Sequence, residues 1–98
     1  MAQSSSRSSG LQTADGIVAS GRNRLNTVTL ISDGTNACSV IIYDGVTAAG
    51  TVLAKVSIGA ASLKSTEQLT YVNPVITETG IYADVTATGA AYIVTYGG

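Results

Sequence analysis

What this chain lacks sets the first bound on its chemistry. It contains no His and a single Cys, Cys38. Histidine is the usual general base near neutral pH and the commonest metal ligand. Without it no Ser–His or Cys–His nucleophile pair can form, and one Cys cannot build a Cys/His zinc site. Cys38 lies in the run Cys38-Ser39-Val40-Ile41-Ile42, with no cation beside it to activate the thiol. It reads as a small buried core residue.

The acids are Asp15, Asp33, Asp44, Glu67, Glu78 and Asp84. Glycoside hydrolysis needs two carboxyls about 5–10 Å apart across a cleft. Asp33 and Asp44 fall in Asp-Gly turns and Asp15 opens a strand, and turn Asp residues bond nearby backbone. A chain of 98 residues has little room for a cleft of several hundred Å³. Asp33-Gly34-Thr35-Asn36 and Asp44 offer oxygen ligands, but the calcium-loop spacing is missing. Thr79-Gly80 and Thr88-Gly89 read as turns, since no phosphate-cradling loop opens a helix. The residues predict no catalytic site, no cofactor and no metal, so the chain is expected not to be an enzyme.

Charged residues make up 11% of the chain and the net charge is −1, against about 25% charged in ordinary soluble domains. A surface so poor in charge is expected to be covered in part by partners. Arg7, Arg22 and Arg24 stand near the N-terminus, while Lys55 and Lys64 are scattered. No basic stripe results, and nucleic acid is not an expected partner. No apolar run approaches the roughly 18–20 residues of a membrane helix, so no membrane is expected either. The start, Met1-Ala2-Gln3-Ser4-Ser5-Ser6-Arg7, has no apolar core of a secretory signal. The lack of a possible disulfide fits assembly in a reducing cytoplasm.

The elements that would position any contact residues divide into an arm and a body. Residues 1–14 are Ser-rich, with Leu11 as the one large apolar anchor after Met1. Such a segment buries too little surface to offset its ordering entropy. It is expected to be flexible, or to order on a partner. From Asp15 to Gly98, short runs of Val, Ile, Thr and Tyr alternate with Gly, Asn, Asp and Ser. This predicts strands near 16–20, 25–32, 38–43, 51–58, 66–72, 75–78, 80–87 and 90–96. Val28 and Leu30 share a face, as do Ile81, Ala83 and Val85, and as do Tyr92, Val94 and Tyr96. Asp33-Gly34 and Asp44-Gly45 are hairpin-type turns, and Thr88-Gly89 is expected to join the last two strands as a hairpin. Asn73-Pro74 cannot lie inside a central strand, because Pro lacks an N–H. The fold class is all-β: a compact antiparallel β-sandwich over residues 15–98, with a jelly roll as one form open to it, and an extended N-terminal arm.

The aromatic residues are all Tyr: Tyr43, Tyr71, Tyr82, Tyr92 and Tyr96. Tyr combines apolar area with a hydroxyl suited to a wet or shared surface. Candidate partner-binding residues are Arg7 and Leu11 in the arm, Arg22 and Arg24 beyond it, and Tyr71, Tyr82, Tyr92 and Tyr96.

Two stretches carry a resemblance. Val40-Ile41-Ile42-Tyr43-Asp44-Gly45-Val46-Thr47-Ala48-Ala49-Gly50-Thr51 resembles the "LYDG-(T/S)-x-x-x-GT" hairpin of small tailed-bacteriophage virion proteins. Gly80-Ile81-Tyr82-Ala83-Asp84-Val85-Thr86-Ala87-Thr88-Gly89-Ala90, running on to Tyr96, resembles their "G-(I/L)-Y-A-D-(I/V)-T-G-T-G-A" closing hairpin. The resemblance spans roughly residues 16–97. It implies a capsid decoration (cement) protein, located in the virion and assembled in the host cytoplasm. The implied partners are the major capsid protein and further copies of the chain, as a trimer or dimer. A tail, head–tail or fibre component of the same kind of particle is the alternative reading. A carbohydrate-binding module that uses exposed Tyr on a sandwich face is the reading from another class.

Overall fold

The computed structural model describes residues 6–59, 66–86 and 90–97, excepting the side chains of residues 6 and 70–74. It is all-β, and no described residue is helical. The strands are β1 (Ser6–Ser8), β2 (Gly16–Ser20), β3 (Asn23–Ile31), β4 (Cys38–Asp44), β5 (Thr51–Ile58), β6 (Thr66–Thr77), β7 (Gly80–Thr86) and β8 (Ala91–Gly97). They form two four-stranded sheets, in the orders β1-β8-β3-β6 and β2-β7-β4-β5. Every pairing is antiparallel. β1 pairs with β8, β2 with β7, β3 with β6 and β4 with β5. That is the pattern of one long hairpin rolled over on itself, a jelly roll.

Period-two patterning builds the core between the sheets. β3 contributes Leu25, Val28 and Leu30, and β8 contributes Tyr92 and Val94. The second sheet answers with Val40 and Ile42 of β4, Ala54, Val56 and Ile58 of β5, and Ile81 and Ala83 of β7. Cys38 joins this cluster as a buried free thiol. Val85 and Tyr96 pack against its margin, so the predicted shared faces of β3, β7 and β8 hold.

Several connections differ from expectation. β7 and β8 lie in opposite sheets, so they form no hairpin; the Thr88-Gly89 turn itself lies outside the described residues. Likewise Asp33-Gly34 carries the chain from β3 in one sheet to β4 in the other. A Gly with positive φ, here +88° at Gly34, marks a turn but does not say which sheet the chain enters next. The expected strands 66–72 and 75–78 are one strand, β6. Its register against β3 breaks between Leu25 and Thr27, and residues 71–74 fall in that irregularity. Pro74 is tolerated there because β6 is an edge strand. β1, finally, is a strand within the segment expected as an arm.

Candidate contact surface

Asp33 and Asp44 have structural roles, and the lone thiol is buried in the core. The Asp33 carboxylate accepts from the amides of Thr35 (2.8 Å) and Asn36 (2.9 Å). These bonds close its own turn and hold the carboxyl below its ordinary range, with the Asn36 amide as the largest cause. Asp44 reaches a turn more than thirty residues away. Its Oδ1 accepts from the amides of Thr79 (2.9 Å), Glu78 (3.1 Å) and Gly80 (3.4 Å). The Thr79 amide is the largest cause of its lowered pKa. Asp44 thereby ties the β4–β5 loop to the β6–β7 turn. In the same hairpin Gly50 packs its α-carbon so close to the Asp44 carbonyl that a Cβ would collide with it. Among the described residues no buried side-chain polar atom lacks a partner, and no group of three or more acidic or Cys residues is placed to hold a metal.

The N-terminal segment runs along the edge of the first sheet. Arg7 pairs with Tyr96 in register. Ser9 N donates to the Val94 carbonyl (2.8 Å), and Val94 N donates to Ser9 Oγ (2.9 Å). Gln12 and Tyr92 exchange both backbone bonds, at 3.0 and 2.9 Å. Tyr92 Oη donates to the Ala14 carbonyl (2.7 Å) and pins the end of the segment. Even so, none of residues 6–14 belongs to the core cluster, and Arg7 and Leu11 are exposed, Leu11 by 63%. A cavity of about 270 Å³ opens between this segment and β2, lined in part by Ser9, Gln12, Asp15, Tyr92 and Tyr96.

The candidate residues do not form one patch. Tyr92, expected at a partner surface, is 1% exposed and belongs to the core, because the inward face of β8 is the face it occupies. Tyr96 on the same face is half-buried against the core. Arg22 and Arg24 are exposed at the β2–β3 end, where they border a second cavity of about 200 Å³ with Asn23 and Ile76. The Tyr71 side chain lies outside the described residues. Among the described candidates, Tyr82 is the one on the outward face of the second sheet.

That face holds the organised surface that the sequence reading missed. Cross-strand register puts Ile17 beside Tyr82, Tyr82 beside Tyr43, and Tyr43 beside Val52. The four side chains make an apolar row across all four strands. Its ends are open, Ile17 at 54% and Val52 at 56% exposure. The Tyr43 and Tyr82 rings tilt at 55° with centroids 6.4 Å apart, within the range of a favourable aromatic pair. In the next row Asp84 pairs with Ile41 and Ile41 with Lys55. Asp15 extends this row beyond Asp84. Its Oδ1 accepts from Val85 N (2.8 Å). Burial first, then the charge and hydrogen bond of Asp15, raise the Asp84 carboxyl above its ordinary range. The row is therefore acidic at the β2 end and basic at the β5 end. In the third row, Ser39 lies beside Thr86 and Ser57, and the Ser39 and Thr86 hydroxyls bond each other. The missed signal was pairing: Ile17, Tyr43 and Val52 look unrelated until the strand order joins them.

No protein-family model matches the chain, and neither a curated protein nor a solved structure matches it.

Proposed function

We propose that this chain is a non-enzymatic structural protein of a tailed-bacteriophage virion that binds and stabilises the capsid shell. The observation that carries this reading is the N-terminal segment. It spends backbone hydrogen bonds on the β8 edge but places no described side chain in the core, so the exposed Arg7 and Leu11 are open to something outside the domain. β1 is also an edge strand, and its outer backbone groups can accept a strand from a partner. The resemblance of 40–51 and 80–96 to virion-protein hairpins supplies the context, and the 11% charge content fits a surface that is shared. The jelly roll is compatible but does not choose, since capsid, lectin and cupin domains all use it.

In this reading the arm and the β1 edge lie against the major capsid protein, and many copies on one lattice reinforce weak individual contacts. Deleting residues 2–12 should lower capsid occupancy while the far-UV circular dichroism of the β domain is kept. Undiminished occupancy of the shortened chain would remove the arm from the attachment. A tail, head–tail or fibre position is the second reading of the same particle, separated by copy number: hundreds of copies mean cement, a handful mean tail. The open Tyr43–Tyr82 pair favours one reading outside the virion, a carbohydrate-binding module, for which a glycan array without a hit is decisive.

A further inference from the structure

We propose that the outward face of the β2-β7-β4-β5 sheet binds the same face of a second copy, about a two-fold axis that runs along the strands between β7 and β4. Such an axis lays β7 of one copy over β4 of the other and β2 over β5. Each row then meets itself reversed. Ile17 meets Val52 and Tyr82 meets Tyr43, so the apolar row is covered along its whole length. In the next row the order Asp15-Asp84-Ile41-Lys55 is reversed against itself. The acidic end of each copy meets Lys55 of the other, and this occurs twice. An isologous contact requires this self-complementarity. Asp15, beside Asp84 in its own copy, gains a cation.

The size of the face sets the strength. Four strands at about 4.8 Å and seven residues at about 3.4 Å give a plan of roughly 19 by 24 Å. Two such faces bury on the order of 1,000 Å², at the small end for specific interfaces. The dimer is accordingly expected to form and dissociate with concentration. The inference does not rest on the capsid reading, because the free chain suffices to test it.

Sedimentation equilibrium of the full chain should show a monomer–dimer equilibrium over micromolar to millimolar concentrations. Lys55→Glu, an exposed substitution, should weaken the dimer about tenfold or more by facing like charges. Combining it with Asp15→Lys, the residue that Lys55 faces across the axis, should restore affinity to within about threefold of wild type, as a charge swap does. Tyr43→Ala should weaken the dimer, whereas Thr29→Lys on the other sheet should not. Circular dichroism and melting of each variant confirm that it folds. A wild-type chain that stays monomeric at about 1 mM overturns the proposal, as does an unweakened Lys55→Glu variant or a charge swap without rescue. A glycan that binds the monomer and is lost in Tyr43→Ala assigns the face to sugar instead.

Discussion

At the scale of single residues, the carboxylates show how chemistry-capable groups become structural ones. Asp44 holds three backbone amides of a distant turn and is stabilised in its charged form. Asp44→Ala should lower stability by about 1 kcal/mol, less than a buried loss because water can replace it. The folded-state pKa is depressed, so this contribution is present above the unfolded value of 3.8 and is lost as pH falls through the folded value. Thermal melts from pH 7 to pH 2 should therefore show the gap between wild type and variant closing below about pH 4. Asp84 carries the opposite sign. Its folded pKa is raised, by burial and then by Asp15. Its ionisation thus costs stability as pH rises above 3.8. Asp84→Asn, measured at concentrations low enough for monomer, should melt higher at pH 7 and lose that advantage in acid. Sequence alone pointed to turn roles for Asp33 and Asp44. It did not reveal the long reach of Asp44, because the β4–β5 loop and the β6–β7 turn meet only through the fold.

At the scale of elements, β8 is the hinge between body and arm. Its inward face supplies Tyr92 and Val94 to the core, while its free edge receives residues 6–12. Alternation made the shared faces of β3, β7 and β8 legible, since apolar side chains two apart must face one way. Pairing was not legible. An Asp-Gly dipeptide demands a turn whether the chain returns in its own sheet, as from β4 to β5, or crosses to the other, as from β3 to β4. β1 was invisible for a related reason: Ser6–Ser8 carry no apolar signal, and it is backbone pairing with β8 that places them. The Tyr92 hydroxyl bond to Ala14 should be the clasp of this segment. Tyr92→Phe keeps the packed ring and is expected to cost about 0.5–1.5 kcal/mol. Hydrogen exchange should quicken at the Ser9 and Gln12 amides more than at the β3 amides. Uniform quickening would instead mean that the ring, not the clasp, was disturbed.

At the scale of the whole molecule, rolling the chain brings distant residues into one surface. Ile17, Val52, Tyr43 and Tyr82 come from four strands and meet only because the order is β2-β7-β4-β5. The low charge content led to the expectation of a shared surface, because few charges would otherwise have to keep the chain apart in water. It could not say which surface. The molecule now offers two: an arm-bearing edge on one sheet and a self-complementary face on the other. A capsid-bound dimer would use both, with the arm edges outward and the faces joined. The central claim concerns the shell, and the most direct measurement is the ratio of this chain to the major capsid protein in purified particles, by quantitative mass spectrometry. A cement protein is predicted at hundreds of copies per particle, in a fixed ratio to the capsid subunit. A handful of copies, or none, would contradict that claim.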